Sequence, residues 1–220
     1  MAPDILTALR EHGFAYIRSY MPCESTIESL SQLGDILQLP GIPRIQVLQP
    51  RRTSESSPNL YSGNFGYGMY PLHTDLAHWF LPPHYLALRC IKGSDVTTRV
   101  FDAMKVVDEI GETALRRTLV QSRRWIHGSR PLMRVLHYSP QGRHLIRWDE
   151  LFISPATPRS AATFSAIKAY LNATKPIEIE LRELGDTLIL DNWRMLHGRS
   201  CVPQTAMERR IERAYLRVQA

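Results

Sequence analysis

Apolar and polar positions repeat along this chain with two periods, and the shorter one dominates. Residues 4–12 put Ile5, Leu6 and Leu9 on one helical face, with Asp4 able to cap the start and Gly13 able to end it. Phe14–Tyr20 alternates, is rich in aromatic and branched residues, and predicts a strand. The spacing of Ile27, Leu30, Leu33 and Leu37 predicts a helix over 24–37, and Arg44–Leu48 a further strand. Residues 50–71 have no period and are rich in Ser, Gly, Pro, Asn and Tyr. A loop of that length inside a compact domain is usually functional.

Beyond it the chain reads mostly as short strands. His84–Ile91 and Thr97–Phe101 flank a Lys92-Gly93-Ser94-Asp95 turn, and residues 103–121 hold helical pieces broken at Gly111. Arg123–His127, Leu132–Tyr138 and His144–Trp148 predict strands. An amphipathic helix over 159–172 carries Phe164, Ile167 and Leu171, and Ile177–Leu181, Thr187–Leu190 and Ala214–Val218 complete the set. With no internal repeat and no linker, the expectation is one domain over 1–220, with a helix/strand flank at 1–45 and the core at 60–219. Many short strands with few helices point to a mainly β fold, a barrel or a double-sheet jelly roll, rather than a doubly wound sheet.

Composition narrows the class. The chain is 44% hydrophobic and 22% charged, enough to bury a core, which excludes collagen-like and disordered material. No run approaches the roughly 18 apolar residues of a membrane span, so no membrane partner is expected. The first residues lack an early basic region and do not read as a signal peptide. Cys23, Cys90 and Cys201 are odd in number and widely spaced. They form neither a disulfide framework nor a zinc motif, and a cytoplasmic location with free thiols is expected. The net charge of +6 comes largely from scattered arginines with no nucleic-acid motif beside them, so the expected partner is a small molecule, not nucleic acid. The oligomeric state is left open.

Three signals carry candidate chemistry. In His73-Thr74-Asp75 an imidazole and a carboxylate stand at i and i+2, on one face of a strand. Far downstream, Gly185-Asp186 leads into an apolar strand that ends in an Asp191-Asn192 corner, and His197 follows within Trp193-Arg194-Met195-Leu196-His197-Gly198-Arg199. Two histidines and one carboxylate on one face of an octahedral ion make the facial triad of non-haem iron oxygenases. Third, Arg209 lies 12 residues past His197, and Arg213 shares its face whether the segment is helix or strand.

Together and in this order, these signals resemble the TauD/TfdA family of Fe(II)/2-oxoglutarate-dependent dioxygenases. Pro71-Leu72-His73-Thr74-Asp75 and the segment around His197 are also similar to the γ-butyrobetaine hydroxylase branch. The resemblance implies a double-stranded β-helix (jelly roll) and a metal site of His73, Asp75 and His197. It implies Fe(II), 2-oxoglutarate and O2 as cofactor and cosubstrates, with succinate and CO2 released as a C–H bond is oxidised. Arg209 would hold the distal carboxylate of 2-oxoglutarate with help from Thr98, Arg213 would sit nearer the iron, and Arg210 would point away. The family's Gly-Gly-Asp-Thr stretch is altered here to Gly93-Ser94-Asp95-Val96-Thr97-Thr98. Counting back from Asp102 favours Thr98, with Thr97 on the opposite strand face. Most relatives are longer, so trimmed lid or substrate-binding insertions are expected.

Tyr61, Phe65, Tyr67 and Tyr70 among glycines read as a substrate-covering loop, and Asn64, Tyr67, Trp79 and Arg194 are the candidate substrate contacts. His78 is the nearest rival ligand, and His137 a candidate lining residue. His127 and His144 read as core or surface residues. The substrate reads as an amino acid, amine or pathway intermediate. Two other classes compete. A non-catalytic jelly-roll binding module is opposed by the intact triad. A zinc hydrolase on the same ligands would act without 2-oxoglutarate and give Arg209 no role.

Overall fold

Local sequence chemistry explains most of the elements in the computed structural model, which describes residues 5–125, 128–139 and 142–218. Helix α1 (Ile5–His12) buries Ile5 and Leu9; Asp4, its expected cap, lies outside the described residues. Strand β1 (Phe14–Ile17) follows. Helix α2 (Thr26–Ser31) starts at a capping box, in which the Ser25 hydroxyl accepts the Glu28 N–H and the Glu28 carboxylate accepts the Ser25 N–H. It is shorter than the predicted 24–37. Asp35–Ile36 instead form a short strand, β2, and Leu33 and Ile36 bury in the same cluster as Leu30 by leaving helical geometry.

Strand β3 (Gln46–Leu48) precedes the long segment, which is not wholly irregular: it holds a turn of 3-10 helix at Thr53–Glu55, helix α3 (Tyr61–Phe65) and the start of strand β4 (Tyr70–His73). Strands β5 (Tyr85–Lys92) and β6 (Thr97–Asp102) are followed by helices α4 (Met104–Ile110) and α5 (Glu112–Arg117), divided at Gly111 as expected. Strand β7 (Leu119–Ser122) lies upstream of the predicted 123–127. Arg123 and Arg124 form a bend, and His127 lies outside the described residues. Then come β8 (Leu132–Arg134), β9 (Leu136–Tyr138), β10 (His144–Ile146) and β11 (Ile153–Pro155). Helix α6 (Pro158–Ala173) has Thr157 as N-cap and proline in its first turn. The chain closes with β12 (Ile177–Glu180), β13 (Thr187–Asp191), β14 (Met195–Arg199) and β15 (Arg210–Arg217), the last starting four residues earlier than predicted.

Two antiparallel sheets face each other in a jelly roll. The larger has the order β1-β13-β5-β15-β2, with β3 also on β15; the smaller has the order β12-β6-β14-β4. Strand periodicity sorts the side chains. Leu86, Leu88, Cys90, Leu188, Leu190, Ile211 and Tyr215 from the larger sheet meet Val100, Ile179 and Met195 from the smaller. The other face of the larger sheet (Tyr85, Ala87, Ile189, Ala214, Leu216) packs beneath Leu9 and Leu30. The other face of the smaller sheet (Leu72, Phe101, Leu196) packs beneath Val106, Leu115, Phe164 and Ile167. Full burial is worth roughly 1.5–3 kcal/mol for each large apolar side chain, so both layers are strongly held.

Two glycines are required by close approach. A Cβ at Gly198 would lie 2.6 Å from the Tyr70 carbonyl oxygen, so only glycine lets β14 run this close to β4. Gly185 turns with φ of 86° against the Tyr20 carbonyl. Asp186 beside it accepts the N–H groups of Ser19, Arg182 and Glu183 and the Tyr16 hydroxyl, fixing the entry to β13. Cys23 and Cys201 are exposed free thiols and Cys90 is a buried one. Among the described residues, no helix is long and apolar enough to cross a membrane.

Candidate active site

His73 is the last residue of β4, and His197 lies in mid-β14. The two strands pair in a register that sets these residues directly opposite each other, with ring centroids 4.4 Å apart. Both rings are buried. The His73 Nδ1–H donates to the Pro71 carbonyl at 2.9 Å, which leaves Nε2 as the lone-pair donor. Burial, and then the neighbouring His73 charge, pull the His197 pKa down to about 3, so this imidazole is neutral at physiological pH.

Asp75 follows β4. The chain turns sharply here, with Leu76 at φ of 56°, a left-handed conformation rare for a branched aliphatic residue. Asn192 holds the turn: its side-chain oxygen accepts the Asp75 N–H at 2.9 Å, and its amide donates to the Asp75 and Pro83 carbonyls. The Asp75 carboxylate is gripped from one side. Oδ2 accepts from Arg213 at 2.8 Å and from the Tyr215 hydroxyl at 3.1 Å, while Oδ1 accepts from Arg213 at 3.1 Å and lies 3.9 Å from His73 Nε2. Burial raises its pKa, but Arg213 and the two histidines outweigh that and keep it below the ordinary aspartate value. Gln46 on β3 accepts from the other Arg213 nitrogen at 2.6 Å. One ligand atom from each of His73, Asp75 and His197 lies within 4.8 Å of the others. Two imidazoles and a carboxylate at that spacing are a suitable donor set for a first-row divalent ion.

Arg209 directly precedes β15 and is 7% exposed. Its Nε has no hydrogen-bond partner, and among the described residues no carboxylate pairs with it. Burial, then the nearby Arg199, lower its pKa to about 10. A buried guanidinium without a counter-ion is a ready anion site. Thr98 shares a strand face with Val100, which pairs with His197 across β6 and β14, so its hydroxyl faces the space between the sheets; Thr97 is on the other face. Arg210 lies half-buried on Glu212 at 3.1 Å.

The candidate substrate contacts fare differently. Asn64 is exposed, and its amide staples its own loop through the Pro58 and Leu60 carbonyls. Arg194 pairs with Asp102 at 2.6 Å and donates to the Arg10 and Glu11 carbonyls, which ties α1 to the smaller sheet. Tyr67 packs against Val96, Val202 and Ala206. Trp79 is half-buried, with its carbonyl accepting from Arg147. His78 lies outside the three-residue cluster, His137 is exposed on β9 and so lines no buried pocket, and His144 meets Tyr138. Sequence reasoning missed Asn192 as the brace of Asp75, Tyr215 and Gln46 around it, and Asp149 near His73. It also missed Arg199, whose guanidinium lies 3.7 Å over the Tyr70 ring and donates to the Gly66 and Gly68 carbonyls. The Asp191-Asn192 corner was the one signal that pointed to any of them.

Two imidazoles and a carboxylate set between the sheets of a jelly roll define the non-haem iron facial-triad class. The chain belongs to the taurine catabolism dioxygenase TauD, TfdA family, which matches residues 2–215 and whose reaction uses Fe(II), 2-oxoglutarate and O2. Among solved structures, the chain is similar to an asparagine oxygenase in complex with Fe(II), 2S,3S-3-hydroxyasparagine and succinate (21% identity, TM-score 0.60, covering 78% of this chain and 56% of that one). It is similar to the PvcB protein from Pseudomonas aeruginosa (16% identity, TM-score 0.65, covering 97% and 78%). It is also similar to the non-haem iron oxygenase OrfP in complex with Fe, succinate and (3S)-hydroxy-L-Arg (21% identity, TM-score 0.60, covering 80% and 56%). The chain thus spans little more than half the length of the asparagine oxygenase and of OrfP. None of the curated proteins matches by sequence.

Proposed function

We propose that this protein is an Fe(II)- and 2-oxoglutarate-dependent oxygenase that hydroxylates a C–H bond of a small polar molecule, an amino acid or amine. One observation carries the reading. A buried two-histidine, one-carboxylate cluster occurs in the same jelly roll as a buried arginine, Arg209, that has no counter-ion among the described residues.

His73 and His197 would donate neutral imidazole lone pairs to the metal, and Asp75 would donate through Oδ1. Oδ2 stays with Arg213 and Tyr215, an outer set of partners that fixes the carboxylate's direction. Arg209 would take the distal carboxylate of 2-oxoglutarate as a charge-assisted pair, and the Thr98 hydroxyl would add a hydrogen bond. When bound, iron, cosubstrate and O2 supply the oxidation, with succinate and CO2 released. The protein's part is to orient them, exclude water and present the substrate. Relatives crystallised with hydroxyasparagine and hydroxy-arginine support an amino-acid substrate.

The test is anaerobic titration of the apoprotein with Fe(II) and then 2-oxoglutarate, read by the metal-to-ligand absorption band. Succinate release is then followed across a panel of amino acids, amines and acids. The expected result is a band that needs both components and succinate that needs O2. Turnover without 2-oxoglutarate, on zinc, would overturn the reading in favour of a hydrolase.

A further inference from the structure

We propose that Asp149 is the anchor for a positively charged nitrogen on the substrate, with the Tyr61 hydroxyl beside it, so that this oxygenase selects free ammonium or guanidinium compounds. This rests on the oxygenase reading above and specifies its substrate.

Asp149 is 1% exposed, just past β10; burial raises its carboxyl above the ordinary aspartate value, and the nearby His73 partly offsets that. One carboxylate oxygen, Oδ1, accepts the N–H groups of Leu151 and Phe152 at 2.8 and 2.9 Å; Oδ2 takes no backbone donor. Among the described residues, no cation pairs with it. The basic side chains on neighbouring segments are each engaged elsewhere. Arg147 donates to the carbonyls of Ala77, Trp79 and Phe80. Arg123 donates to the carbonyls of Glu150 and Ile153, and Arg124 to that of Pro58. Lys168 pairs with Glu150 at 2.7 Å. A buried carboxylate left without a cation is costly unless a ligand brings one.

Tyr61 gives independent support. Its ring stacks on His73 at 4.1 Å and meets Phe152 edge-on at 5.4 Å, so it roofs the metal-facing histidine. Its hydroxyl is buried on the side of Asp149, which acts on it more strongly than Asp75 or Glu150 does. Asp75 is already paired with Arg213, whereas Asp149 is a buried carboxyl beside the cluster that has no cation among the described residues. Locally the arginines are matched to carbonyls, to Asp75 or to the proposed cosubstrate position, and the unmatched group near His73 is a carboxyl.

The probes are L-amino acids, the corresponding simple amines, and N-acetyl derivatives that lack the positive nitrogen. Succinate release with the wild-type enzyme selects the most active compound. Anaerobic calorimetry on the Fe(II)·2-oxoglutarate protein then measures its binding. The expected result is a free amine or guanidine whose charge-neutralised derivative binds roughly 10- to 100-fold more weakly. In Asp149→Asn, which keeps an oxygen for the Leu151 and Phe152 N–H groups, the free and neutralised forms should bind alike while the metal-to-ligand band and melting temperature stay in place. If that variant fails to fold, Tyr61→Phe must still narrow the preference. A neutral or acidic compound as the best substrate, or a charge preference that survives in the substituted protein, overturns the proposal. A wild-type protein that shows no absorption band removes the oxygenase reading itself, and this inference with it.

Discussion

The two sheets make unlike contributions to the site. The four-stranded sheet carries the imidazoles of His73 and His197, and Thr98 on β6. The six-stranded sheet supplies positive charge and its partners: Arg209 at the foot of β15, Arg213 and Tyr215 within it, and Gln46 on β3. Asp75 stands between them, delivered by β4 but gripped by β15. A metal with an anionic cosubstrate needs both. Imidazoles must be unprotonated to ligate, and a bound dianion needs fixed cations; Arg209 and Arg213 come from the facing sheet, while Arg199 at the end of β14 is turned onto the Tyr70 ring and the Gly66 and Gly68 carbonyls.

The largest expected effect comes from removing the residue that joins the sheets. Asp75→Ala should abolish tight Fe(II) binding and all 2-oxoglutarate turnover. It also leaves Arg213 buried without its counter-ion, so melting temperature should fall as well. Unchanged iron affinity in an anaerobic titration would detach Asp75 from the metal.

Next comes the cationic side alone. Arg209→Ala should weaken 2-oxoglutarate binding to the Fe(II) protein by at least about tenfold, since charge-assisted hydrogen bonds are worth roughly 1.5–3 kcal/mol each. Arg210→Ala should change it little, because Arg210 is engaged with Glu212. If Arg210→Ala has the larger effect on the absorption band, the two side chains exchange roles.

Tyr215→Phe isolates the grip on Asp75 without changing charge. It removes one hydrogen bond to Oδ2, and iron affinity should fall by roughly tenfold, the lower end of what outer partners contribute at metal sites. A double substitution with Gln46→Ala that is no worse than either change alone would mean the two hold Asp75 through a single shared network.

The smallest effect lies away from the site and depends on pH. Asp186 is buried, and burial raises its pKa, but four hydrogen-bond donors outweigh that and hold it below the ordinary aspartate value of 3.8. Its stabilisation is therefore fully present above that value and is lost as pH falls through the lower folded pKa. Asp186→Asn should lower the melting temperature at pH 7 and flatten its decline below about pH 4. Equal acid sensitivity in both proteins would show that other carboxylates dominate.

The sequence pattern by itself pointed to a mainly β fold, most of the long strands and the candidate set of His73, Asp75 and His197; the jelly roll and the candidate role of Arg209 came from the family resemblance. These are local patterns, written in strand periodicity and in short motifs that keep order and spacing. Strands β11 and β14 were not legible, and β4 was read over His73–Asp75 although it ends at His73 and leaves Asp75 in the following turn. They are three to five residues long, contain proline or glycine, and exist because neighbouring strands complete their hydrogen bonds. Asn64 and Arg194 were misread as substrate contacts because residue type does not say where a side chain finds its partner. Asn192 bracing Asp75 across 117 residues, Arg213 and Tyr215 closing on the same carboxylate, and Asp149 left without a cation beside His73 were decided by the tertiary structure alone. Each depends on which charges and donors remain unmatched after the chain has folded, and that balance is a property of the packed molecule.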